Sequence, residues 1–279
     1  MLDFTDETAP HEIAFEAYGT KARVCTNAAD LLTRVEQLLP PGWERTSATP
    51  EHFRLGIVAE DEGTYSVYQG MAPVSQDQGL EISLTLLDGQ IRGYVALNAP
   101  DLTFVHAGAV AHEGRAMIFP GLSFAGKTTL VAALVRAGAV YYSDEFAVLD
   151  ADGLLHPYAK PLSLRPERRT GQSEHPVEHL GGTAGEEPLR LQLAVVTSYR
   201  PGAEWRPKRL SPGEAALSLL AHTVTARSRP DAAMRTISRA LEHAVALEGD
   251  RGEAEELAKH LLSGASPGYD DRSPDASQA

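Results

Sequence analysis

Cysteine and long apolar runs are nearly absent from this chain. Its 279 residues include one cysteine, Cys25, which excludes an intramolecular disulfide framework. No stretch of about 18 apolar residues occurs, and the N-terminal residues MLDFTDE are acidic, unlike a signal or transit peptide. These absences predict a cytoplasmic protein, in which Cys25 is a small buried residue with no catalytic role.

Basic residues are also scarce relative to acidic ones. The chain has 25 Lys and Arg against 38 Asp and Glu, a formal net charge of −13 at pH 7. A surface with this balance repels nucleic-acid phosphates and anionic lipid headgroups. The composition therefore excludes nonspecific binding to nucleic acid or to membranes. The hydrophobic content of 43% is sufficient for one large domain or two small ones.

The most informative feature is the segment GLSFAGKTT at residues 121–129. It matches the phosphate-binding pattern G-x-x-x-x-G-K-[ST] through Gly121, Gly126, Lys127 and Thr128. A strand-like run, RAMIFP, precedes it, and a helix-forming run at residues 129–137 follows and ends at Gly138. Glycines let the backbone curl around an anion, and the helix N-terminus attracts negative charge. The pattern and its context predict nucleotide binding.

Each part of this loop has an expected contact. Lys127 supplies a mobile positive charge to the β- and γ-phosphates, and Thr128 ligates Mg²⁺ through its hydroxyl. The full set of expected nucleotide-binding residues is Gly121, Ser123, Ala125, Gly126, Lys127, Thr128 and Thr129.

An acidic pair follows shortly after the loop. A second strand-like run at residues 139–143 ends on Asp144 and Glu145. So short a connection predicts one helix and two parallel strands side by side, with their carboxyl ends at the same edge of the sheet. Both carboxylates would then face the phosphates, hold Mg²⁺ and accept a proton from an incoming hydroxyl. The alternative is that the pair only ends a strand in a solvated turn.

The segment at residues 106–150 resembles the catalytic core of HPr kinase/phosphorylase and the HPr-kinase-related kinases. In that family a His begins the strand before a G-x-S-x-x-G-K-[ST] loop, and a short helix then leads to a strand that ends in an acidic pair. The corresponding features here are His106, the loop at 121–128, and Asp144 with Glu145. The loop is also similar to that of ATP-dependent phosphoenolpyruvate carboxykinase, whose core is related. The resemblance implies an α/β fold with a P-loop core of this type. The pattern of a helix followed by strands in the first hundred residues separately predicts a smaller N-terminal α+β lobe.

The resemblance also implies roles for individual residues. Asp144 would be the general base, His106 its partner, and Lys127 the third catalytic residue. Thr128, Asp144 and Glu145 would bind the metal, with Glu145 standing where the family has a second Asp. Two departures are clear: the longer HPr kinase signature that grips the protein substrate is missing, and the first hundred residues do not resemble the family's N-terminal domain. We therefore expect the catalytic core to be similar to that of the family and the protein substrate to be a different one.

Composition divides the chain into a lobe at 1–98, a catalytic domain at 99–262 and a tail at 263–279. The tail is rich in Ser, Pro and Asp and is expected to be disordered. In the lobe, residues 28–39 have helical spacing, and the hairpin turn is predicted at residues 87–90. Strand-like alternation is seen at residues 55–59, 64–68, 80–87 and 91–97. Whether the lobe binds a leader peptide or only covers the core stays open.

The expected reaction is ATP- and Mg²⁺-dependent transfer of a γ-phosphoryl group to a hydroxyl. Some smaller relatives of the HPr kinases phosphorylate serine on peptide natural-product precursors, so a serine of a protein or peptide is the expected acceptor. A nucleotide-binding regulatory protein with little or no transfer is the main alternative. A carboxykinase needs a longer chain, and a GTPase needs an Asn-Lys-x-Asp motif that is missing here. The sequence leaves open whether the chain forms a homo-oligomer and which arginine contacts phosphate: Arg165, Arg168, Arg200, Arg227 or Arg229.

Overall fold

The computed structural model describes residues 7–47, 54–60, 63–121, 126–164 and 173–263. It contains two compact units, Met1–Leu102 and Thr103–Ala279. Each unit has a mixed sheet of parallel and antiparallel strands together with helices, so the fold is mixed α/β, as the sequence predicts. Among the described residues, no helix combines the length and the apolar character that crossing a membrane requires.

The first unit is built on a six-stranded sheet. In chain order its elements are β1 (His11–Ala17), β2 (Thr20–Thr26), α1 (Leu31–Glu36), β3 (Glu44–Arg45), β4 (Leu55–Ala59), β5 (Tyr65–Gln69), β6 (Ala72–Gln78) and α2 (Leu80–Asn98). The strand order is β3-β1-β2-β4-β5-β6, with β2 and β4 parallel and the other pairs antiparallel. The predicted strands at 55–59 and 64–68 are confirmed by β4 and β5, and Cys25 is buried in β2.

Helix α1 is shorter than the predicted helix at residues 28–39. Side-chain hydrogen bonds hold the chain just before it in a loop: the Asn27 amide exchanges two hydrogen bonds of 2.8 Å with the backbone of Ala59, and the Ala28 N–H donates to Thr26 Oγ1. Local side-chain bonds of this kind compete with helix formation. Helix α1 therefore begins at Leu31, and the proline pair that follows limits its other end.

Residues 80–98 form one helix, so the predicted strands at 80–87 and 91–97 and the predicted hairpin turn at 87–90 are wrong. Helix α2 packs across β4 and β5 through one apolar stripe, whose buried members are Leu84, Leu87, Ile91 and Val95. This spacing of three and four residues is helical. Over six or seven residues the same segment also shows the alternation of apolar and polar residues that is typical of a strand. Only the stripe along the whole segment distinguishes the helical period of 3.6 residues from the strand period of two.

A glycine pair tests this helix directly. Gly89 lies in the interior of α2 with open space where a Cβ would stand, so Gly89→Ala is expected to raise the free energy of unfolding by about 0.5–1 kcal/mol. Gly70, in the turn between β5 and β6, has the same open space but a φ of 61°. Gly70→Ala should therefore destabilise the protein. Urea denaturation of both variants measures the difference, and a loss of stability in Gly89→Ala would contradict the helix.

The second unit contains an eight-stranded sheet and four helices among its described residues. In chain order its elements are β7 (Thr103–His112), β8 (Arg115–Pro120), α3 (Lys127–Arg136), β9 (Val140–Ser143), β10 (Phe146–Leu149), β11 (Leu154–His156), β12 (Leu162–Leu164), β13 (Ser173–His175), β14 (Leu189–Tyr199), β15 (Lys208–Arg209), α4 (Pro212–Leu220), α5 (Pro230–Leu241), β16 (Val245–Arg251) and α6 (Ala254–Leu262). The main path of the sheet is β11-β10-β7-β8-β14-β16-β15; β9 pairs with β7, and β12 and β13 form a separate ladder.

Helices cover both faces of this sheet. Alternate residues of β8 point to opposite sides: Ile118 packs in a cluster with α4 and α5, whereas Met117 and Phe119 pack with α3 and α6. The unit is therefore a three-layer arrangement with a core on each side of the sheet. The predicted strand before the loop, the helix after it and the strand at 139–143 are confirmed by β8, α3 and β9.

The predicted pairing of the strands around α3 is wrong in one respect. Strands β8 and β9 are not neighbours, because β7 lies between them and is antiparallel to both. A tight hairpin joins β7 to β8 and occupies the edge of β8 that β9 would need. Both β8 and β9 still end beside the same part of β7, with Pro120 opposite Ala107 and Ser143 opposite Ala109. Their carboxyl ends therefore share one edge, as predicted.

Candidate functional site

Helix α3 begins at the edge where β8 and β9 end. Its N-cap, Gly126, has a φ of 76°, a left-handed conformation that favours glycine. The Gly126 carbonyl accepts a hydrogen bond of 3.1 Å from the Leu130 N–H, which closes the first turn. A Cβ on Gly108 of β7 would lie 2.6 Å from Val131 Cγ2, so the helix packs directly on the strand at this glycine. The first turn of α3 is thereby fixed against the sheet, and its leading N–H groups have no partner within the helix.

Lys127 is the first residue of α3 and is half-buried. Its Nζ donates a hydrogen bond of 2.8 Å to the carbonyl of Gly121, so the side chain spans the loop from its last part to its first. The Gly121 N–H in turn donates to the His106 carbonyl at 3.1 Å, which ties the start of the loop to β7. Burial lowers the pKa of Lys127, and the negative charge of Asp144 opposes that shift. The ammonium and this carboxylate therefore interact.

Asp144 is buried, with 9% of its surface exposed. Its Oδ1 lies 3.0 Å from the Tyr141 hydroxyl, which also lies 2.8 Å from the Lys160 carbonyl, and its Oδ2 accepts a bond of 3.4 Å from the Ser163 N–H. Burial, followed by the charge of Asp144, raises the pKa of Tyr141, so the phenol stays protonated and donates. The alternative of a solvated turn does not describe Asp144, whose carboxylate has defined partners.

Glu145 is half-buried and sits on the tight turn between β9 and β10. Ser143 Oγ closes this turn by accepting hydrogen bonds from the N–H groups of Glu145 and Phe146 at 3.0 and 2.9 Å. The Glu145 carbonyl accepts a bond of 3.1 Å from the Ala107 N–H. The acidic pair is therefore held beside β7, at the same edge of the sheet as the loop.

His106 is placed differently from the family pattern. The strand directly before the loop is β8, whereas His106 lies within β7, one strand earlier in the chain. Its side chain is exposed, and its ring centroid lies 4.7 Å from that of Phe146, its cross-strand neighbour on β10. Because the His106 carbonyl holds Gly121, the histidine is at the same edge as Lys127 and the acidic pair.

A second histidine at this edge has no signal in the sequence. The carbonyl of His222, just after α4, accepts a hydrogen bond of 2.8 Å from the His106 N–H. Among the described residues no group pairs with the buried Nδ1 of the His222 ring. Burial, followed by the positive charge of Lys127, lowers the pKa of His222. A lowered pKa favours the neutral ring, and the charge of the loop lysine acts on it although almost a hundred residues separate the two in the chain.

His222 should make stability sensitive to acid. Above the unfolded pKa of about 6.5 the ring is neutral in both states; below it the unfolded chain binds a proton first, and the folded state loses stability. We therefore expect His222→Gln to lose less stability than the wild type between about pH 7.5 and pH 5 in urea denaturation. The same change at exposed His179 should leave the wild-type pH dependence intact. Identical pH profiles for His222→Gln and wild type would contradict the effect.

Three of the five arginines proposed from sequence lie in the part of the chain that the structure describes. Arg200 is exposed and forms an ion pair of 3.1 Å with Asp250, Arg227 is exposed, and Arg229 precedes α5 as its N-cap. Arg165 and Arg168 lie outside the described residues. Among the described residues, Arg251 at the end of β16 contacts the loop: its Nη2 donates to the Gly126 carbonyl at 3.1 Å.

The remaining predicted residues divide into two groups. Thr128 is half-buried and Thr129 is exposed, and both lie in the first turn of α3. Ser123 and Ala125 lie outside the described residues. Positions 264–279 of the predicted tail also lie outside them. The described ranges contain no group of three or more His, Cys, Asp or Glu suited to a metal ion. Magnesium needs no such group, since it binds one or two carboxylates together with waters and phosphate oxygens. A threonine hydroxyl on α3 and two carboxylates at the same edge fit that donor set.

No protein-family model matches the chain, and no curated protein matches it. Function therefore has to be inferred from the chemistry of the site. A helix N-terminus and a half-buried ammonium attract a polyphosphate, and a buried carboxylate beside them can receive a proton or bind a cation.

Proposed function

We propose that this protein is a kinase that uses ATP and Mg²⁺ to phosphorylate a hydroxyl, that of a serine on a protein or peptide. The observation that carries the proposal is the half-buried Lys127 at the start of α3, whose Nζ donates back to the Gly121 carbonyl at the edge of the sheet where β9 ends beside the buried Asp144. A loop of the form G-x-x-x-x-G-K-T leads into that helix. The proposal includes a P-loop core of the HPr kinase type and a cytoplasmic location.

Phosphoryl transfer requires positioning and charge neutralisation more than covalent participation by the protein. Lys127 would neutralise the β- and γ-phosphates, and the positive, N-terminal end of α3 would attract their oxygens. Thr128, Asp144 and Glu145 would hold Mg²⁺, which would offset the negative charge of the phosphates. His106, exposed at the same edge, would lie on the side open to an acceptor.

Asp144 would receive the proton of the acceptor hydroxyl. The Tyr141 hydroxyl at Oδ1 fixes the orientation of the carboxylate, and burial keeps competing water away. A carboxylate is a weak base near neutral pH, so it takes the proton late, as charge builds on the acceptor oxygen in a loose transition state.

One observation favours the alternative, a nucleotide-binding regulator that transfers little or nothing. Both oxygens of Asp144 have partners within the protein, Tyr141 at Oδ1 and the Ser163 N–H at Oδ2. The longer of these contacts, 3.4 Å to Ser163, is the one that a substrate hydroxyl would have to replace. A regulator would bind MgATP through the same loop and leave Asp144 in its resting contacts.

A phosphate-transfer assay decides between the two. Purified protein, Mg²⁺ and γ-³²P-ATP are incubated with a lysate of the source cells, in parallel with Asp144→Asn. A labelled protein or peptide that requires Asp144 supports the kinase and supplies its substrate for identification. MgATP binding by calorimetry without any labelled product would refute the kinase and favour the regulator.

A further inference from the structure

Arg251 reaches the phosphate-binding loop from the far end of the chain. It is the last residue of β16, which is parallel to β14, and β14 is parallel to β8. Parallel strands end at the same edge of a sheet, so Arg251 comes to the edge where the loop leaves β8. Its side chain there is buried, with 3% of the residue exposed.

The contacts of the Arg251 guanidinium are almost all to neutral groups. Nη2 donates to the Gly126 carbonyl at 3.1 Å, Nη1 donates to the Gly252 carbonyl at 3.0 Å, and the group lies 5.2 Å from the centre of the Tyr199 ring. The buried Nε has no partner among the described residues. Burial is the main influence on the pKa of Arg251 and lowers it. The neighbouring acids therefore do not offset the cost of removing the guanidinium from water. A buried cation in this position is stabilised when an anion arrives.

The contact with Gly126 has a geometric consequence. In a planar trans peptide the C=O of one residue and the N–H of the next point in opposite directions. Because the Gly126 carbonyl accepts from Arg251 as well as from the Leu130 N–H, the Lys127 N–H points away from Arg251. This N–H belongs to the first residue of α3, at the end of the helix that attracts an anion. The contact is also tight, since a Cβ on Gly126 would lie 2.5 Å from Nη2.

We propose that Arg251 is a positioning residue of the phosphate site, which aims the Lys127 N–H at a bound polyphosphate by holding the Gly126 carbonyl. Its buried charge is balanced when the anion is bound. The inference depends on the proposed function only for the nature of the ligand, the polyphosphate group of a nucleotide. It concerns anion binding and not transfer, so the two can be tested separately.

The test uses the full chain, with inorganic pyrophosphate and MgADP as probes. Arg251→Lys keeps the charge and changes the donor geometry, and Arg251→Met removes both. Arg200→Met is the matched control, because Arg200 follows β14 at the same edge but is exposed and paired with Asp250. Calorimetry gives the dissociation constants, and ¹H–¹⁵N spectra show how far pyrophosphate shifts the Lys127 amide resonance, a ligand-induced change that a merely structural arginine would not reduce.

We expect Arg251→Lys and Arg251→Met to weaken pyrophosphate binding by about tenfold or more, since neither side chain reproduces the guanidinium geometry that holds the Gly126 carbonyl and with it the direction of the Lys127 N–H. Arg200→Met should bind like the wild type. In the wild type pyrophosphate should shift the Lys127 amide resonance strongly, and in Arg251→Lys this shift should be reduced. If Arg251→Met does not fold, folded Arg251→Lys still gives both measurements.

Wild-type affinity together with an unchanged Lys127 amide shift in Arg251→Lys would overturn the inference. If phosphate transfer fails while pyrophosphate binding still depends on Arg251, the kinase proposal is wrong and this inference stands. If the wild type transfers phosphate and Arg251→Lys binds pyrophosphate normally, only this inference is wrong. A wild-type protein that binds neither probe would refute both.

Discussion

Lys127→Met is expected to abolish MgATP binding at millimolar nucleotide, with the fold retained. The change removes a half-buried ammonium that spans the loop through its 2.8 Å bond to the Gly121 carbonyl. It also leaves the charge of Asp144 without its cationic neighbour, facing the polyphosphate. Each hydrogen bond between a charged donor and a phosphate contributes about 1.5–3 kcal/mol, so the loss of two raises the dissociation constant by at least about a hundredfold. Isothermal titration calorimetry measures the change.

Lys208 supplies the control for this experiment. It is an exposed lysine on β15, paired with Glu248 at 2.8 Å, and Lys208→Met removes the same charge from the same unit. Its MgATP affinity should equal that of the wild type. Denaturation curves of Lys127→Met should stay close to the wild-type curve, because a methionine fills the same half-buried space without the cost of burying a charge. Survival of MgATP binding in Lys127→Met would end the P-loop interpretation.

Asp144→Asn is expected to reduce phosphate transfer by about 10²–10⁴-fold, the usual contribution of a general base, while the MgATP affinity changes by no more than a few fold. Asparagine has nearly the same shape: its amide oxygen can accept from the Ser163 N–H, and its NH₂ group can donate to the Tyr141 hydroxyl, which in turn donates to the Lys160 carbonyl, so the local structure is kept. It cannot take a proton from the acceptor hydroxyl. Single-turnover kinetics on the substrate found by labelling measure the transfer step, and calorimetry measures MgATP binding.

The control for Asp144→Asn is the same change at Asp152, an exposed residue on the turn between β10 and β11. It removes one negative charge from the second unit and should leave transfer at the wild-type rate. A collapse of MgATP affinity in Asp144→Asn would mean that Asp144 acts chiefly as a metal ligand. Unchanged transfer in the variant would remove it from the reaction.

The segment from β8 to β9 shows what local sequence can predict. The strand, the helix and the second strand follow each other within thirty residues. Each has its own periodicity of apolar residues and its own residue that ends the element, such as Gly138 after α3. Residues 80–98 show the limit of the same method. Their short alternating runs and the Asp88-Gly89 pair are typical of a hairpin. The segment is helical instead, because a helix buries the whole apolar stripe that contains Leu87 against β4 and β5.

The sequence by itself determined the phosphate-binding pattern, the acidic pair and the elements that carry them, because hydrogen bonds between near neighbours and side-chain periodicity set these features. Only the tertiary structure decided that β7 separates β8 from β9, and that His222 and Arg251 join Lys127 at one edge. These contacts depend on strand order, which is chosen by the packing of the whole sheet between its two helical layers. A local sequence pattern cannot predict this strand order, since residues in contact, such as Gly126 and Arg251, lie up to 125 residues apart.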